Sequence, residues 1–180
     1  MSQIIFSQFP IKYNIGEVKL QRLPDVEGLD SFIKLANKFR NIFRNNFLNN
    51  NYVSHKESIK FFKNLNSDNS RILYAISYNQ IWIGHFGARY LDDKNIMLDN
   101  AVRFSPEGGK ELFKKINLSI INLIRKHYST HNILIIVDRQ NVLSLKLHGE
   151  LDYRECSKEL YEKLSIDSKN YILKILTKYD

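Results

Sequence analysis

Three strand-length runs follow one another between residues 71 and 104: Arg71 to Tyr78, Gln80 to Leu91 and Asn95 to Phe104. They join at Asn79-Gln80 and at Asp92-Asp93-Lys94-Asn95. Connections this short cannot hold the dozen or more residues that a parallel crossover needs, so the middle of the chain reads as an antiparallel meander. Everything else has to be arranged around that sheet.

Upstream, Glu17 to Arg22 alternates as a short strand. The Pro24-Asp25 step then opens a predicted helix carrying Leu29, Phe32, Ile33, Leu35, Ala36 and Phe39 at helical spacing. Residues 41–53 are rich in asparagine but studded with aromatics, which reads as an ordered loop or broken helix and not as a linker. Ser54-His55-Lys56-Glu57 has the form of a capping box, and Ile59, Phe61, Phe62 and Leu65 follow it on a short helix.

Downstream of the meander, Glu107-Gly108-Gly109-Lys110 leads into a long amphipathic helix with Leu112, Phe113, Ile116, Ile120, Ile121, Leu123 and Ile124 on one face. The unbroken apolar run Ile133 to Val137 reads as a buried strand flanked by helices. Asn141 to Gly149 reads as a short helix, and Tyr153 to Leu164 with Asn170 to Lys178 as a closing pair of strands. The expected fold is mixed α/β (α+β), one domain over residues 1–180, with a mostly antiparallel central sheet flanked by helices.

A chain of 180 residues, 43% hydrophobic, can bury one sizeable core. No apolar run approaches the roughly 20 residues that cross a bilayer, and Met1 to Phe6 lacks a charged region before an apolar stretch, so a soluble cytoplasmic protein without a membrane partner is expected. The lone Cys156 has no partner for a disulfide or a zinc site and reads as a buried structural thiol. The net charge of +8 points to an anionic partner. Its distribution argues against nucleic acid, because the basic residues occur singly or in pairs such as Lys114-Lys115, with no block of five or six and no aromatic-interleaved stripe. A phosphorylated small molecule gains from the same field.

Two segments carry chemistry. In Val137 to Tyr153 a strand end is followed by Asn141, Ser144, Leu147-His148 and Leu151-Asp152-Tyr153. An asparagine there can cap the next helix, turn its amide to a polar ligand, or do both. In Val102 to Lys110 a strand ending in valine runs through Gly108-Gly109 into a helix, where free N–H groups and the helix dipole make an anion site; Gly-Gly before a helix also serves as plain punctuation.

With the order of elements, these segments resemble the GNAT superfamily of acyltransferases over almost the whole chain. The family shows a valine-ended strand, an asparagine, a small residue three later, a leucine-tyrosine pair and then leucine-glycine-phenylalanine. Here His148 stands in the place of the tyrosine and Asp152 in that of the glycine. The family's pyrophosphate loop has the form Arg/Gln-x-x-Gly-x-Gly/Ala; in this reading only Gly108 and Gly109 match, the leading Arg or Gln is not evident, and Lys110 supplies the charge. The resemblance implies acetyl-CoA as cosubstrate, no metal, and cofactor contacts from Val102, Gly108, Gly109, Lys110, Ile136, Val137, Asn141 and Ser144.

Acyl transfer to an amine needs a proton acceptor for the amine, a donor for the oxyanion and an acid for the departing thiolate. A backbone N–H near Ile136-Val137 is the candidate donor. His148 is the candidate acid, against the plainer reading of a surface or core histidine. Asp99 interrupts an apolar strand and is either the base or half of a buried ion pair with Arg103 or Arg89. His85 on the neighbouring strand is a second base candidate or a hydrogen-bonded sheet residue.

The stretch from Phe39-Arg40 to Phe62, with Arg44-Asn45-Asn46 and Ser54 to Ser58, resembles the GNAT subgroup that acetylates nucleotide-linked amino-deoxysugars for surface polysaccharides. Leu98 to Arg103 is similar to it as well. The resemblance implies a small-molecule amine, a nucleotide-linked sugar, as partner, with Arg44, Asn45, Asn46 and Asn100 as substrate contacts; an asparagine-rich loop without function is the alternative for the run itself. Another amine (a polyamine, an antibiotic, a protein N-terminus), a non-catalytic domain that binds coenzyme A or a partner protein, and a homodimer are left open.

Overall fold

The computed structural model describes residue 6 and residues 9–176. Its strands are β1 (Lys12–Ile15), β2 (Val18–Arg22), β3 (Arg71–Tyr78), β4 (Ile81–Asp92), β5 (Asn95–Arg103), β6 (Asn132–Asp138), β7 (Arg154–Glu155) and β8 (Tyr171–Leu176). Its helices are α1 (Leu29–Ile42), α2 (His55–Lys63), α3 (Gly109–His127), α4 (Val142–Gly149) and α5 (Lys158–Lys163). The strands form one sheet in the order β1-β2-β3-β4-β5-β6-β8-β7, in which only β5 and β6 run parallel.

The meander stands where the sequence puts it. Its first turn carries positive φ at both Asn79 and Gln80, 48° and 64°, which matches the right-handed twist of the strands it joins. The capping box is complete: the Ser54 hydroxyl accepts from Glu57 N–H at 3.2 Å, and Ser54 N–H donates to the Glu57 carboxylate at 2.7 Å. The apolar run 133–137 is β6, and Asn141 caps α4.

Three expectations are corrected. β1 was not expected; among the described residues it pairs only with β2, and it alternates between exposed and half-buried positions, so it carries little apolar signal. The first helix begins at Leu29 and not at the Pro24-Asp25 step, because Gly28 takes a left-handed φ of 71° as N-cap. Tyr153 to Leu164 is not a strand: two residues pair as β7, and Lys158–Lys163 then turns as α5 to bury Tyr161. β8 is a strand as expected, and Thr177 and Lys178 of that expected run lie outside the described residues.

The two faces of the sheet are covered differently. α3 lays Ile116, Ile120, Ile121 and Ile124 across one face, in a continuous core reaching from Val18 and Leu20 of β2 to Leu176 of β8. The other face has two separate apolar groups. One joins α1 and α2 to β3, through Phe32, Ile33, Phe62, Leu73 and Ala75; the second joins α5 to β6 and β8, through Tyr161, Leu134 and Leu173.

Candidate active site

β5 and β6 pair at Asn95↔Asn132, Ile96↔Ile133 and Met97↔Leu134, and there the pairing stops. Both strands continue, β5 alongside β4 to Arg103 and β6 alongside β8 to Asp138. In the separated stretch β5 is bulged, setting Asn100 and Ala101 against Phe86 alone, with Asn100 at a φ of 53°. A bulge bends its strand and re-aims its side chains. The facing edges of 98–103 and 135–138 thus lack each other as hydrogen-bond partners, in the middle of a sheet. Backbone groups in such a place need a partner from elsewhere. The slot suits an extended ligand that carries its own amides.

Two helix N-termini stand at the mouth of this slot, since α3 follows β5 and α4 follows β6. Gly108 and Gly109 both have left-handed φ, 74° and 63°, and no side chain caps α3. The first-turn N–H groups of a helix have no intrahelical acceptor, so this end attracts an anion. A Cβ on Gly109 would meet nothing within 4 Å, whereas one on Gly108 would lie 1.9 Å from Leu112 Cδ2. Backbone therefore stands open on the outer side of this turn.

The expected charge at the loop is already engaged: Lys110 pairs with Glu150, and Lys114 reaches the same carboxylate at 3.5 Å. Arg103 is the residue the sequence reading missed. Its Nε donates to the Ser105 carbonyl at 2.7 Å, its Nη2 to the Pro106 carbonyl, and its guanidinium lies 4.8 Å from the centre of the Phe113 ring. The spacing Arg103-x-x-Pro106-x-Gly108 was the available signal, with proline where the family pattern has its first glycine.

At α4, Asn141 Oδ1 accepts from Ser144 N–H at 3.1 Å, so the carbonyl end of its amide is the helix cap. Val102, Ile136 and Val137 contribute backbone to the separated stretches, while the side chains of Val102 and Val137 are buried. These residues, with Asn100, Gly108, Gly109, Lys110, Asn141 and Ser144, gather at the C-terminal ends of two adjacent parallel strands and the helix starts that follow.

The proton-handling candidates divide between the two faces. His148 packs with Tyr153 in the α3 and α4 layer, ring centroids 5.3 Å apart. Burial, with the nearby charge of Lys174 second, pushes its pKa down to about 4, and its Nδ1 has no partner among the described residues. Asp99 and His85 belong to the opposite face. Asp99 pairs with neither Arg103 nor Arg89. Its Oδ2 lies 3.2 Å from Arg71 Nε, an ion pair whose N–H is not aimed along a hydrogen bond. His85 is enclosed by Phe32, Phe62 and Phe104; burial pushes its pKa down to about 4 against a backbone hydrogen bond at Asn100.

Arg44, Asn45 and Asn46 form an exposed 3-10 turn between α1 and α2. This asparagine-rich loop is ordered by side chains. Asn41 donates to the Val53 carbonyl at 2.8 Å and accepts from Val53 N–H at 2.9 Å; Asn37 reaches the same carbonyl, and Arg40 lies over Phe47. Tyr171 of β8 donates to the Phe47 carbonyl at 3.3 Å, which holds the loop beside the ends of β6 and β8. A surface depression of about 350 Å³, lined by Glu155, Cys156 and Tyr161 among others, lies around α5.

No protein-family profile and no curated protein matches this sequence. Solved structures do. The N-acetyltransferase PseH of Campylobacter jejuni in complex with acetyl coenzyme A is 16% identical, covering 90% of this chain and 99% of that one at a TM-score of 0.66. RimL, a ribosomal L7/L12 alpha-N-protein acetyltransferase solved with coenzyme A, is 11% identical, covering 93% and 96% at 0.69. The spermidine N-acetyltransferase of Vibrio cholerae, with CoA and spermine, is 15% identical, covering 88% and 93% at 0.65.

Proposed function

The chain has the fold of the GNAT N-acetyltransferases, and we propose that it is an acyl-CoA-dependent N-acyltransferase that moves an acetyl group to a primary amine of a small molecule. The observation that carries this reading is the slot between β5 and β6 with the bare N-terminus of α3 at its mouth. Unpaired strand edges suit the amides of a pantetheine arm, and the Gly108-Gly109 turn with the first-turn N–H groups suits a pyrophosphate.

Acetyl-CoA, when bound, would supply a thioester carbonyl open to attack by the amine, with coenzyme A leaving as the thiol. The residues of this chain then have three tasks. A split-facing N–H near Ile136-Val137 receives the developing oxyanion. Asp99, a quarter exposed and anchored by Arg71, orients the amine and takes its proton, directly or through water. His85 is the second base candidate, because Phe32, Phe62 and Phe104 enclose it and leave it less open to an amine than Asp99. His148 serves as a neutral N–H donor to the leaving sulfur and not as an imidazolium, since burial suppresses its cation. The acid and base candidates lie on opposite faces of the sheet, and the slot is the opening between them.

We take the acceptor to be the amino group of a nucleotide-linked sugar, with Arg44, Asn45, Asn46 and Asn100 as its contacts. The ordered, exposed 44–46 turn, whose asparagine amides can read sugar hydroxyls, supports this choice, and the +8 charge disfavours a polyamine.

The test is thermal unfolding with acetyl-CoA, followed by thiol release with amino-sugar nucleotides. A ligand at a hundred times its Kd adds about 2.7 kcal/mol to stability. A clear rise in Tm, turnover with an amino-sugar nucleotide, and loss of turnover but not of the shift in Asp99→Asn are the expected results. No shift with acetyl-CoA or longer acyl-CoAs refutes the reading.

A further inference from the structure

Arg71 and Arg89 stand directly opposite each other on β3 and β4, so their side chains leave the sheet on one face. Like charges in that position repel. They occupy the strip between the two separate apolar groups, with Phe61 of α2 on one side and Met97 of the α5 group on the other. Both are half-buried.

The carboxylates in reach do not divide between them. Asp99 Oδ2 lies 3.2 Å and Asp68 Oδ2 3.9 Å from Arg71, so Arg71 takes both. For Arg89 there is Met97 Sδ at 4.0 Å from Nη2, a weak acceptor, and its buried Nε has no partner among the described residues. A half-buried guanidinium whose buried Nε finds no acceptor, set against a second guanidinium, is costly unless something anionic completes it. Arg71 already bridges from this pair to Asp99, and Asp99 sits where β5 starts to part from β6.

We infer that Arg89, with Arg71 behind it, binds an anionic group of the acceptor, a carboxylate or a phosphate, close to the amine that Asp99 orients. This rests on the proposed acyltransferase reading for the word acceptor, but the anion site itself does not. A planar guanidinium matches either anion with two parallel hydrogen bonds, which a lone ammonium cannot do. Acceptors bearing an anion near the amine are then favoured over neutral amines of the same size.

Three proteins decide it: wild type, Arg89→Gln and Arg89→Lys. Each is titrated with inorganic phosphate and with acetate against chloride at equal ionic strength, with and without saturating acetyl-CoA, following Tm. Wild type should gain stability from one of the two anions beyond the chloride control. Phosphate alone identifies a phosphorylated acceptor, and acetate alone a carboxylate. In Arg89→Gln the apparent affinity should fall about tenfold or more, with Arg89→Lys between, while the acetyl-CoA shift is unchanged. Without anions Arg89→Gln should melt no lower than wild type, because it relieves the cross-strand repulsion; a purely structural arginine would lower it. Equal responses to phosphate, acetate and chloride in wild type, or an undiminished anion response in Arg89→Gln, overturn the inference. Absence of an acetyl-CoA shift with the anion response intact would strike the acyltransferase reading and leave the anion site standing.

Discussion

At the scale of single residues, the two buried histidines set a pH dependence with a definite sign. His85 and His148 are both held near a pKa of 4 by burial, while in the unfolded chain each returns to about 6.5. Between those values the unfolded state binds protons that the native state does not, so stability is fully present above about pH 6.5 and falls as the pH drops through the window. Each histidine accounts for something on the order of 3 kcal/mol by its lower end. Glu57 and Glu150 have lowered pKa values and add their losses below the ordinary carboxylate range, so the histidine window stands apart. Urea unfolding at pH 7 and pH 5 should show a marked loss for wild type and a clearly smaller one for His148→Phe; equal losses would show that the ring is not the source. The sequence made both histidines visible but not their enclosure, because the aromatic cage of His85 comes from α1, α2 and the segment after β5. Asp99 was visible for the same reason, as a charge in an apolar strand. Its partner was not, because Arg71 is two strands away, on β3, and the two meet only when β4 has paired with both strands.

At the scale of elements, legibility followed the strength of local signals. The meander, the capping box of α2, the amphipathic face of α3 and the unbroken run of β6 each declare themselves within one segment. β1 and α5 do not, since each buries little: β1 lies at the edge of the sheet, and Tyr161 is the one buried residue of α5. The start of α3 shows how a local signal can be read correctly and still hide its geometry. Gly108 and Gly109 look equivalent in the sequence, yet they are constrained differently, by left-handed φ at both and by Leu112 at Gly108 alone. Gly109→Ala should cost on the order of 1 kcal/mol from backbone strain. Gly108→Ala should cost more, because the helix start must shift away from Leu112 as well. Gly108→Ala combined with Leu112→Ala should recover part of that difference in acetyl-CoA affinity, though not in global stability, where the lost leucine side chain weighs against it. Denaturant midpoints beside acetyl-CoA titrations separate the two effects, and equal costs for the two glycine variants would show that the Leu112 contact does not constrain the turn.

At the scale of the molecule, the sheet is continuous on one face and divided on the other. The core under α3 ties β2 through β8 together, whereas the opposite face is held by two groups that do not merge, one under α1 and α2 and one under α5. Three residue pairs join the two halves of the sheet between β5 and β6. This explains how a sheet of eight strands can part in its middle without coming apart: the α3 side carries the connection and the other side is left to open. It also predicts where ligand binding should be felt. Among the described residues, the amides of 98–103 and 135–138 that face the split have no strand partner, while those of 74–76 are flanked on both sides by β2 and β4. Hydrogen exchange should therefore be faster at the split-facing amides than at the centre of β3 in the free protein. Acetyl-CoA should slow the split-facing amides by tenfold or more, beyond any change at β3, because it would supply the missing acceptors. A slowing that is uniform across the sheet would mean global stabilisation only, with the ligand seated outside the split. In that event the α3 N-terminus could still hold a phosphate, but the strand edges would have no part in binding, and the oxyanion role given to the N–H near Ile136-Val137 would fall with them.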